Sequence, residues 1–460
     1  MGLRLQKEPG LISPEQQLLA AYAKFQLGDA HPLTHATRMG IAFHHGSLPQ
    51  EIRREIEDAV HSGLIDILVC TSTLAEGVNL PIRTLVMHTV KRFDGTSLKP
   101  ISRRSIKNIV GRVGRAGKET RGRIIFANES EKAWVESVFR EQNLEPAKGA
   151  LFNLVKELND VVVQSRLTLD NELFERQDVS FLAILDRIDM AIIDLMPADF
   201  VIEDIENHIA TSLQHTLAYR YLDTDVLRGR INEIFLIRAR ALIAGASPES
   251  LMRLRKSGST PRFQRFIEQT TVLDQIEWQT LTDPYDLGWL NNVALPLLTA
   301  PTVIQSHDIG WVRALVLSWM TGSTYAEIAT LTGTSVDDCL EALINAVGFD
   351  LQDNLAKTTQ LALLKFGDEA ISETAAKWNS MLQYGLGNLR QLDMFELGAS
   401  DRLAVWSISR FLDNHAPDLR GRDILGFLRS NRGVVVDYLR TDVRVPTLSA
   451  DRTIRELRLG

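Results

Sequence analysis

The sequence predicts an α/β domain with a parallel sheet, followed by mostly α-helical domains. Three short runs rich in β-branched residues, at 65–71, 83–90 and 122–127, alternate with helical patterns. This alternation is typical of a layer built on parallel strands. From about residue 131 onward, strand signals are sparse and apolar residues recur with a helical period. A chain of 460 residues is long enough for two to four domains with sizeable cores.

Local patterns define the elements of the α/β part. Residues 65–71 form an apolar run bounded by Gly63 and by a polar turn, which predicts a buried parallel strand. Residues 49–61 place their apolar side chains on one helical face, which predicts an amphipathic helix. Ligands of parallel sheets bind at the carboxyl ends of the strands. The polar motifs of this chain lie just past those ends.

Composition narrows the class of protein. A hydrophobic fraction of 45% and a charged fraction of 24% are ordinary for a globular protein. A net charge of −7 argues against a protein that coats nucleic acid with its whole surface, although it is compatible with a local basic channel. Cys70 and Cys339 lack metal spacing, so we expect buried thiols, a reducing compartment and no metal site. Without a signal-peptide core or a membrane span, the sequence predicts a cytoplasmic protein with no membrane contact.

The string FHHGSLP (43–49) precedes the predicted helix. A Gly-Ser turn at a helix N-terminus offers backbone N–H groups and a positive dipole end, which suit a phosphate. His45 and Gly46 are therefore candidate nucleic-acid contacts. A structural role is the simpler interpretation of His44 and His45.

The string TSTLAEGVNLP (71–81) follows the 65–71 strand. Thr71 ends the strand, Gly77 allows the backbone to approach a ligand, and Asn79 and Pro81 close the turn. The alternative is an ordinary strand-to-helix turn, but the whole string is far more specific than any residue within it.

The string NIVGRVGRAG (108–117) places Arg112 and Arg115 three residues apart on one helical face. Fixed positive charge on the transferring oxygens is the main help that a protein gives to phosphoryl transfer. Arginine is suited to this task because its fork stays charged and binds two oxygens at once. A solvated basic helix start is the alternative, and it does not explain the paired glycines.

In order and spacing, these three strings resemble the motifs of the second RecA-like domain of superfamily 2 helicases. The resemblance is closest to the superkiller-type group, which includes archaeal repair helicases and RNA-exosome helicases. It implies that Thr71 and Ser72 contact the nucleic-acid backbone and that Arg112 and Arg115 reach the γ-phosphate. It also implies that four residues face the nucleotide cleft: Gly77, Asn79, Asn108 and Gly111. Asn108 stands where this group usually has glutamine.

Residues 89–102 separate the last two motifs and contain Asp94-Gly95 between β-capable flanks, which predicts a hairpin. Helicases of the resembled group carry a β-hairpin here that parts the duplex, so Arg92 is a candidate nucleic-acid contact. The alternative is an incidental surface hairpin.

Two stretches of the helical remainder could contact nucleic acid. Residues 253–266 interleave basic residues with two phenylalanines, and Arg262 and Arg265 are the candidate contacts. An amphipathic helix with a solvated basic face is the favoured alternative. Residues 324–340 have a helix-turn-helix pattern, but their second helix carries two aspartates that would repel phosphates, so we interpret it as a packing motif.

Further resemblance divides the rest of the chain. Residues 311–349 resemble the helical ratchet domain of the same group, and 383–411 resemble its helix-hairpin-helix, with Ala399 and Ser400 replacing the usual second glycine. The tail, 416–460, holds nine arginines, six acids and a β-like run at 433–439; we favour a solvated extension over an arginine contact to nucleic acid or a partner. The predicted division is a second RecA-like domain at 1–130, a winged-helix-like domain at 131–215, a ratchet-like domain at 216–380, the hairpin domain at 381–415 and the tail.

Neither a GxxxxGK[ST] phosphate loop nor a DExx carboxylate pair occurs in the sequence. The resemblance then implies ATP with Mg²⁺ shared with a first RecA-like domain, in cis or in trans, and a sheet incomplete at its N-terminal edge. It also implies a 3′-to-5′ translocase on single-stranded or partly duplex DNA or RNA. We expect no ATPase activity from the chain alone. The alternatives are a catalytically silent nucleic-acid- or partner-binding module and, less favoured, a helix-turn-helix regulator.

Overall fold

The computed structural model describes residues 12–71, 82–93, 98–114, 122–140, 152, 156, 179–197, 204–222, 225–303 and 307–460. The chain divides into two compact units, each built from separated segments. The first contains Met1–Glu145, Thr321–Ala342 and Arg390–Gly460. The second contains Pro146–Met320 and Leu343–Leu389. The finer five-part division stays a prediction.

The first unit opens with an α/β layer. Its described elements are α1 (Pro14–Leu27), α2 (Pro32–Arg38), β1 (Ile41–His44), α3 (Gln50–His61), β2 (Ile67–Cys70), β3 (Thr84–Met87), β4 (Lys91–Phe93), β5 (Leu98–Pro100), α4 (Arg103–Val110), β6 (Arg123–Phe126) and α5 (Glu129–Arg140). β1 pairs with β2 and β3 pairs with β6, both in parallel. β4 and β5 form an antiparallel hairpin. Small parallel sheets followed by helices confirm the coarse fold class, and the hairpin lies where the sequence predicts it.

One expectation for the sheet is wrong. The sequence predicts a buried strand at 65–71, but Ile67 is 43% exposed and Val69 is 61% exposed. The side chains of Ile67 and Val69 point to the face of the sheet that is turned away from α3. On the neighbouring strand β1, the buried residues Ala42 and His44 point to the opposite face, on which α3 packs. Among the described strands, β2 pairs only with β1. An apolar run in the sequence predicts a strand, but it does not show whether a second layer covers both faces of that strand.

Helix α3 packs on β1 through its apolar face, where Ile52, Ile56 and Ala59 are buried. His44, at the end of β1, is also buried, and its Nε2 lies 3.0 Å from Oε1 of Glu57 on the same helix. The side chain of His44 therefore has a structural partner.

The described elements that complete the first unit are all helical: α15 (Tyr325–Thr332), α16 (Val336–Ala342), α19 (Leu389–Glu396), α20 (Arg402–His415), α21 (Asp423–Ser430), α22 (Arg432–Thr441) and α23 (Thr447–Glu456). Their labels follow chain order, with the helices of the second unit numbered between them. Of these, α15 and α23 pack against α1 and make side-chain contacts with α3, and several of the others pack against one another.

Two expectations for the tail are wrong. The sequence predicts a β-like run at 433–439, but these residues lie within α22, and the tail is packed instead of being a solvated extension. Val435 and Leu439, four residues apart, are fully buried, and so is Ala450 on α23. Burial of this helical stripe overrides the weak strand preference of a valine run.

The second unit is helical throughout its described residues. Its α-helices are α6 (Val179–Leu195), α7 (Ile205–Gln214), α8 (Leu217–Arg220), α9 (Asp225–Gly245), α10 (Pro248–Ser257), α11 (Pro261–Thr270), α12 (Glu277–Thr280), α13 (Leu287–Trp289), α14 (Ile309–Met320), α17 (Gln352–Phe366) and α18 (Glu373–Tyr384). A cluster of Trp278, Trp289 and Trp378 is completely buried.

The two cysteines differ. Cys339 is buried as expected, and burial raises its pKa to about 12, so the thiol stays protonated. Cys70 is exposed, contrary to expectation, because it is the last residue of β2 at the open end of the strand. Among the helices that the structure describes, none is long and apolar enough to cross a membrane.

Candidate nucleotide and nucleic-acid site

The carboxyl ends of β1 and β2 meet at one edge of the sheet. Their register places His44 beside Cys70, so the candidate contacts His45 and Thr71 leave the sheet side by side. The backbone N–H of Thr71 donates to the carbonyl of His44 at 3.4 Å, and Thr71 is exposed. The structure therefore brings these two candidates together.

The turn before α3 can accept an anion. Pro49 precedes the helix and no side chain caps its N-terminus, so first-turn N–H groups face outward at the positive end of the dipole. Gly46 is exposed, and a Cβ built on it would meet no atom within 4 Å. Packing within the protein therefore does not require glycine at this position, which leaves room for a ligand to approach the backbone.

His45 is partly buried, and its ring stacks on Phe43 with centroids 5.9 Å apart and planes 12° apart. Burial lowers the pKa of His45. The imidazole is then neutral at physiological pH, so it can offer a phosphate or a base a hydrogen bond or a ring face, but no charge.

The arginine-bearing turn follows α4. The N–H of Arg112 donates to the carbonyl of Ile109 at 3.2 Å, Val113 forms a parallel bridge with Ile82, and the N–H of Gly114 donates to Ile82 at 2.9 Å. Ile82 directly follows the 71–81 string. The turn that carries Arg112 is thereby fixed to the end of the other motif. Asn108 is exposed on the last turn of α4, and Gly111 ends that helix.

Gly122 is a position next to the arginine-bearing turn that the sequence reasoning missed. A Cβ at residue 122 would lie 2.5 Å from Cγ1 of Val113 and 2.9 Å from its carbonyl carbon. Only glycine lets the chain enter β6 directly against the Arg112–Gly114 turn. The available signal was an isolated glycine at the start of the 122–127 run.

The structure describes only one of the remaining candidate residues of the first unit. Ser72, Gly77, Asn79 and Arg115 lie outside the described residues. Arg92 lies in β4, and its backbone is paired opposite Lys99.

Helix α11 does not present its candidate nucleic-acid contacts together with exposed aromatic rings. Arg262 is ion-paired with Asp186 of α6, and Phe263 is completely buried, so this ring cannot stack on a base. Arg265 is exposed. The buried Phe263 fits an amphipathic helix, but the basic face is only partly solvated, because the ion-paired side chain of Arg262 is 16% exposed. The nucleic-acid roles of Arg262 and Arg265 stay predictions.

In the turn between α19 and α20, the hydrogen-bond donors of Ser400 are already occupied and are not available to a phosphate. The N–H of Ser400 donates to Oε2 of Glu456 at 2.9 Å, and its hydroxyl donates to the other oxygen of that carboxylate. A side chain of α23 already satisfies the donors that a phosphate would use.

A polar cluster on α3 was also missed, because its members are far apart in the sequence. Glu51 accepts a hydrogen bond from the Tyr325 hydroxyl at 2.9 Å. Arg452 on α23 contacts Glu55 at 2.7 Å and Asp58 at 2.8 Å. Burial raises the pKa values of both glutamates. The acidic side of the motif-bearing helix is thus held by α15 and α23.

The helix-turn-helix segment takes part in the same packing. Thr324 caps α15 in a reciprocal capping box with Glu327, and Gly333 ends that helix in the left-handed conformation. In α16, Asp337 lies 3.3 Å from His31, the N-cap residue of α2. Both helices contact the rest of the first unit, which fits a packing motif.

Comparison with known proteins identifies the class. Residues 15–117 match the family described as the helicase conserved C-terminal domain. Together with the arginine-bearing turn and the strand-end motifs, this match shows that the chain contains, within residues 15–117, the C-terminal domain of a superfamily 2 helicase.

The chain is similar to several individual helicases and related proteins. The chain is 30% identical over 255 residues to the ATP-dependent DNA helicase Hel308 of Pyrobaculum calidifontis, covering 52% of this chain and 35% of that protein. It is 26% identical over 265 residues to the Hachiman protein HamB of Bacillus cereus, covering 51% and 23%. It is 34% identical over 122 residues to the human Helicase POLQ-like protein, covering 26% and 10%. The chain thus spans about a third or less of the length of these relatives.

Proposed function

We propose that this chain is the arginine-bearing, nucleic-acid-binding half of an ATP-dependent helicase or translocase. The nucleotide is contacted by two groups of residues: Arg112 and Arg115 at the γ-phosphate, and Gly77, Asn79, Asn108 and Gly111 along the cleft. The phosphate loop lies on a first RecA-like domain, in cis or in trans. The pairs β1–β2 and β3–β6 belong to one RecA-like sheet.

The junction of Ile82 with Val113 and Gly114 is the observation that carries this proposal. It holds the Arg112 turn against the end of the nucleic-acid motif through a parallel bridge and a 2.9 Å hydrogen bond. A change at the nucleotide can therefore reach the nucleic-acid side through a rigid backbone connection. A module that only binds nucleic acid has no need of this connection.

The residues of this chain suit the phosphate end of ATP. Arg112 supplies permanent positive charge at a fixed turn, which stabilises charge on a transferring phosphoryl group. ATP supplies that group, and Mg²⁺ offsets its charge. Within the described ranges, no three His, Cys, Asp or Glu side chains converge as metal ligands. In this proposal the Mg²⁺-binding carboxylates come from the other RecA-like domain.

Single-stranded or partly duplex nucleic acid is the proposed substrate, bound by His45, Gly46, Thr71 and Ser72 at the sheet edge. The printed name of the Pyrobaculum relative specifies DNA, so DNA is the first substrate to test, with RNA in parallel. The protein is proposed to work in the cytoplasm.

Reconstitution of the ATPase tests the proposal. The 460-residue chain is assayed alone and with the phosphate-loop protein that co-purifies from the source cell, with and without single-stranded DNA or RNA. We expect no turnover from the chain alone, DNA- or RNA-stimulated turnover from the pair, and a loss of at least a hundredfold for Arg112→Ala or Arg115→Ala. Arg140→Ala on α5, whose side chain is 79% exposed, is the control, with turnover unchanged.

Two results would contradict the proposal. Turnover by the chain alone that is lost in Arg115→Ala would mean that it needs no second half. Binding of nucleic acid without ATPase activity in any combination would favour the silent binding module.

A further inference from the structure

The helix-turn-helix segment, residues 324–340, contacts the surroundings of the FHHGSLP string from far along the chain. Its two polar contacts reach residues 274 and 306 positions earlier in the sequence. The segment belongs to the first unit, whereas the residues before Thr321 and after Ala342 belong to the second. Packing, and not sequence continuity, therefore holds the segment in the first unit. The residues that it contacts indicate what it does there.

The first contact fixes a buried imidazole. Nδ1 of His31 accepts a hydrogen bond from the N–H of Leu33 at 3.2 Å, so the ring hydrogen lies on Nε2. Nε2 lies 3.3 Å from Oδ1 of Asp337 and donates to this carboxylate. The side chain of His31 is 4% exposed, and that of Asp337 is 74% exposed. An acidic side chain at the surface of α16 thus sets the orientation of a ring in the interior.

The ring of His31 belongs to a row of three rings that ends at the candidate contact His45. The centroid of Phe43 lies 6.1 Å from that of His31 and 5.9 Å from that of His45. The planes of Phe43 and His45 are stacked, with 12° between them. Aromatic rings at these separations keep preferred relative orientations. The position of His31 therefore restricts Phe43, and Phe43 restricts His45.

The charge of Asp337 also reaches His45. Burial is the main cause of the lowered pKa of His45, and the neighbouring His44, His31 and Arg53 lower this pKa further. The carboxylate of Asp337 acts in the opposite direction and raises the pKa. Its effect is larger than that of any of these three neighbours. Helix α16 therefore acts on His45 through its charge as well as through the row of rings.

The second contact reaches the helix that follows the string. The hydroxyl of Tyr325, in the first turn of α15, donates to Oε1 of Glu51 at 2.9 Å. Glu51 lies in the first turn of α3, directly after Pro49. The start of α15 is itself fixed by the capping box of Thr324 and Glu327. The two helices of the segment therefore hold the FHHGSLP string from both of its ends.

We propose that Asp337 and Tyr325 are positioning residues, through which the helix-turn-helix segment holds the FHHGSLP turn ready to receive a phosphate of nucleic acid. The inference rests on the proposed function, in which His45 and Gly46 contact the nucleic-acid backbone. Neither positioning residue touches the ligand. A turn that is held in its bound conformation in advance loses less conformational entropy when the ligand binds.

Two substitutions of Asp337 separate positioning from charge. A carboxylate near a phosphate opposes binding, so the direct effect of its charge and its positioning effect have opposite signs. Asp337→Asn and Asp337→Ala both remove the charge, but the asparagine carbonyl can still accept from Nε2 of His31. Positioning therefore predicts that the two variants differ, whereas a pure charge effect predicts that they are equal.

Affinity for a fluorescent oligothymidine is measured by anisotropy at one fixed salt concentration, with the full chain alone and in the reconstituted pair. We expect Asp337→Asn to bind at least as tightly as the wild type, and Asp337→Ala to bind about threefold to fivefold more weakly than Asp337→Asn, as the loss of one hydrogen bond implies. Tyr325→Phe should weaken binding by a similar factor. Ser407→Ala is the matched control, because it removes another buried hydroxyl that donates to a carboxylate of the first unit, and its affinity should be unchanged.

A second measurement reports on His45 itself. The histidines of the full chain are labelled with carbon-13 at Cε1, and the His45 signal is identified by its absence in His45→Gln. The pKa of His45 should fall in both Asp337 variants, because a charge that raises it has been removed. Asp338→Asn, on the same turn of α16, should leave this pKa unchanged, since Asp338 is bonded to Ser335. A role limited to the stability of α16 would not move the pKa of His45, and thermal unfolding checks that each variant is folded.

Each failure has a distinct meaning. Equal affinity of the two Asp337 variants, or an unchanged pKa of His45 in Asp337→Ala, would overturn the inference and leave the proposed function standing. Wild-type affinity of Tyr325→Phe would overturn the part assigned to α15. If the wild-type chain binds neither oligothymidine nor oligouridine, alone or in the reconstituted pair, the proposed function fails and the inference fails with it.

Discussion

Replacing Arg452 with alanine tests whether the C-terminal helix α23 holds the motif-bearing helix α3. The guanidinium contacts Glu55 at 2.7 Å and Asp58 at 2.8 Å. The side chains of Arg452 and Glu55 are only 13% and 10% exposed, whereas Asp58 is 67% exposed. The energetic consequence should therefore come almost entirely from Glu55.

Removing one partner of a buried ion pair costs about 3–5 kcal/mol, and an exposed pair adds at most about 1 kcal/mol. Burial already raises the pKa of Glu55, so the abandoned carboxyl can take up a proton and limit the loss. We expect the low end of that range, about 3 kcal/mol. For a unit of this size, that corresponds to a fall in Tm of about 6–12 °C.

Thermal unfolding followed by circular dichroism at pH 7.5 measures the effect. Arg444→Ala is the matched control, because it removes the same charge from an exposed position of the same segment. In the Glu55→Gln background, Arg452→Ala should cost much less than in the wild type. A Tm for Arg452→Ala within 1 °C of the Arg444→Ala value would refute the assigned role of this contact.

The first unit supports three further predictions. Burial raises the pKa of Glu51. The protonated carboxyl of Glu51 therefore stabilises the folded state below the unfolded pKa, and this stabilisation is lost as pH rises through the folded pKa. Glu51→Gln should flatten the fall of the unfolding free energy above about pH 4.5. Gly322→Ala, at φ +78° with its added Cβ 2.8 Å from the Trp406 ring, should cost about 2–4 kcal/mol in urea unfolding, against about 1 for Gly333→Ala, whose Cβ site is empty. Gly122→Ala should displace the Arg112 turn and lower reconstituted ATPase activity at least tenfold, with circular dichroism used to confirm that the variant is folded; equal activity would contradict the packing argument.

Local patterns predicted the elements whose burial depends on neighbours in sequence. Helix α3 begins one residue inside the predicted 49–61 span, and the strands that flank Asp94-Gly95 in the sequence pair as an antiparallel ladder. The apolar stripe and the turn dipeptide are sufficient signals because both are short-range. The strand-end motifs were likewise readable, since parallel strands bring their carboxyl ends together.

Long-range partners were not predictable from one sequence. Nothing near Arg452 indicates that it contacts Glu55, almost four hundred residues earlier in the chain. Val434 and its neighbours have the composition of a strand, yet Val435 and Leu439 are buried in a helix because tertiary packing decides the outcome. The requirement for Gly122 similarly depends on the closeness of Val113, which only the fold reveals.

The segmented construction of the first unit has a consequence for biosynthesis. Helix α3 is made early, but its partner α23 lies near residue 450, after the whole second unit has been translated. At about 5–20 residues per second, the ribosome needs roughly 20–80 s to span that interval. During this time Glu55 lacks its counterpart Arg452 from the tail. A premature stop before residue 447 would remove α23, so Glu55 would never gain its partner Arg452, and we expect the truncated product to be degraded by proteases.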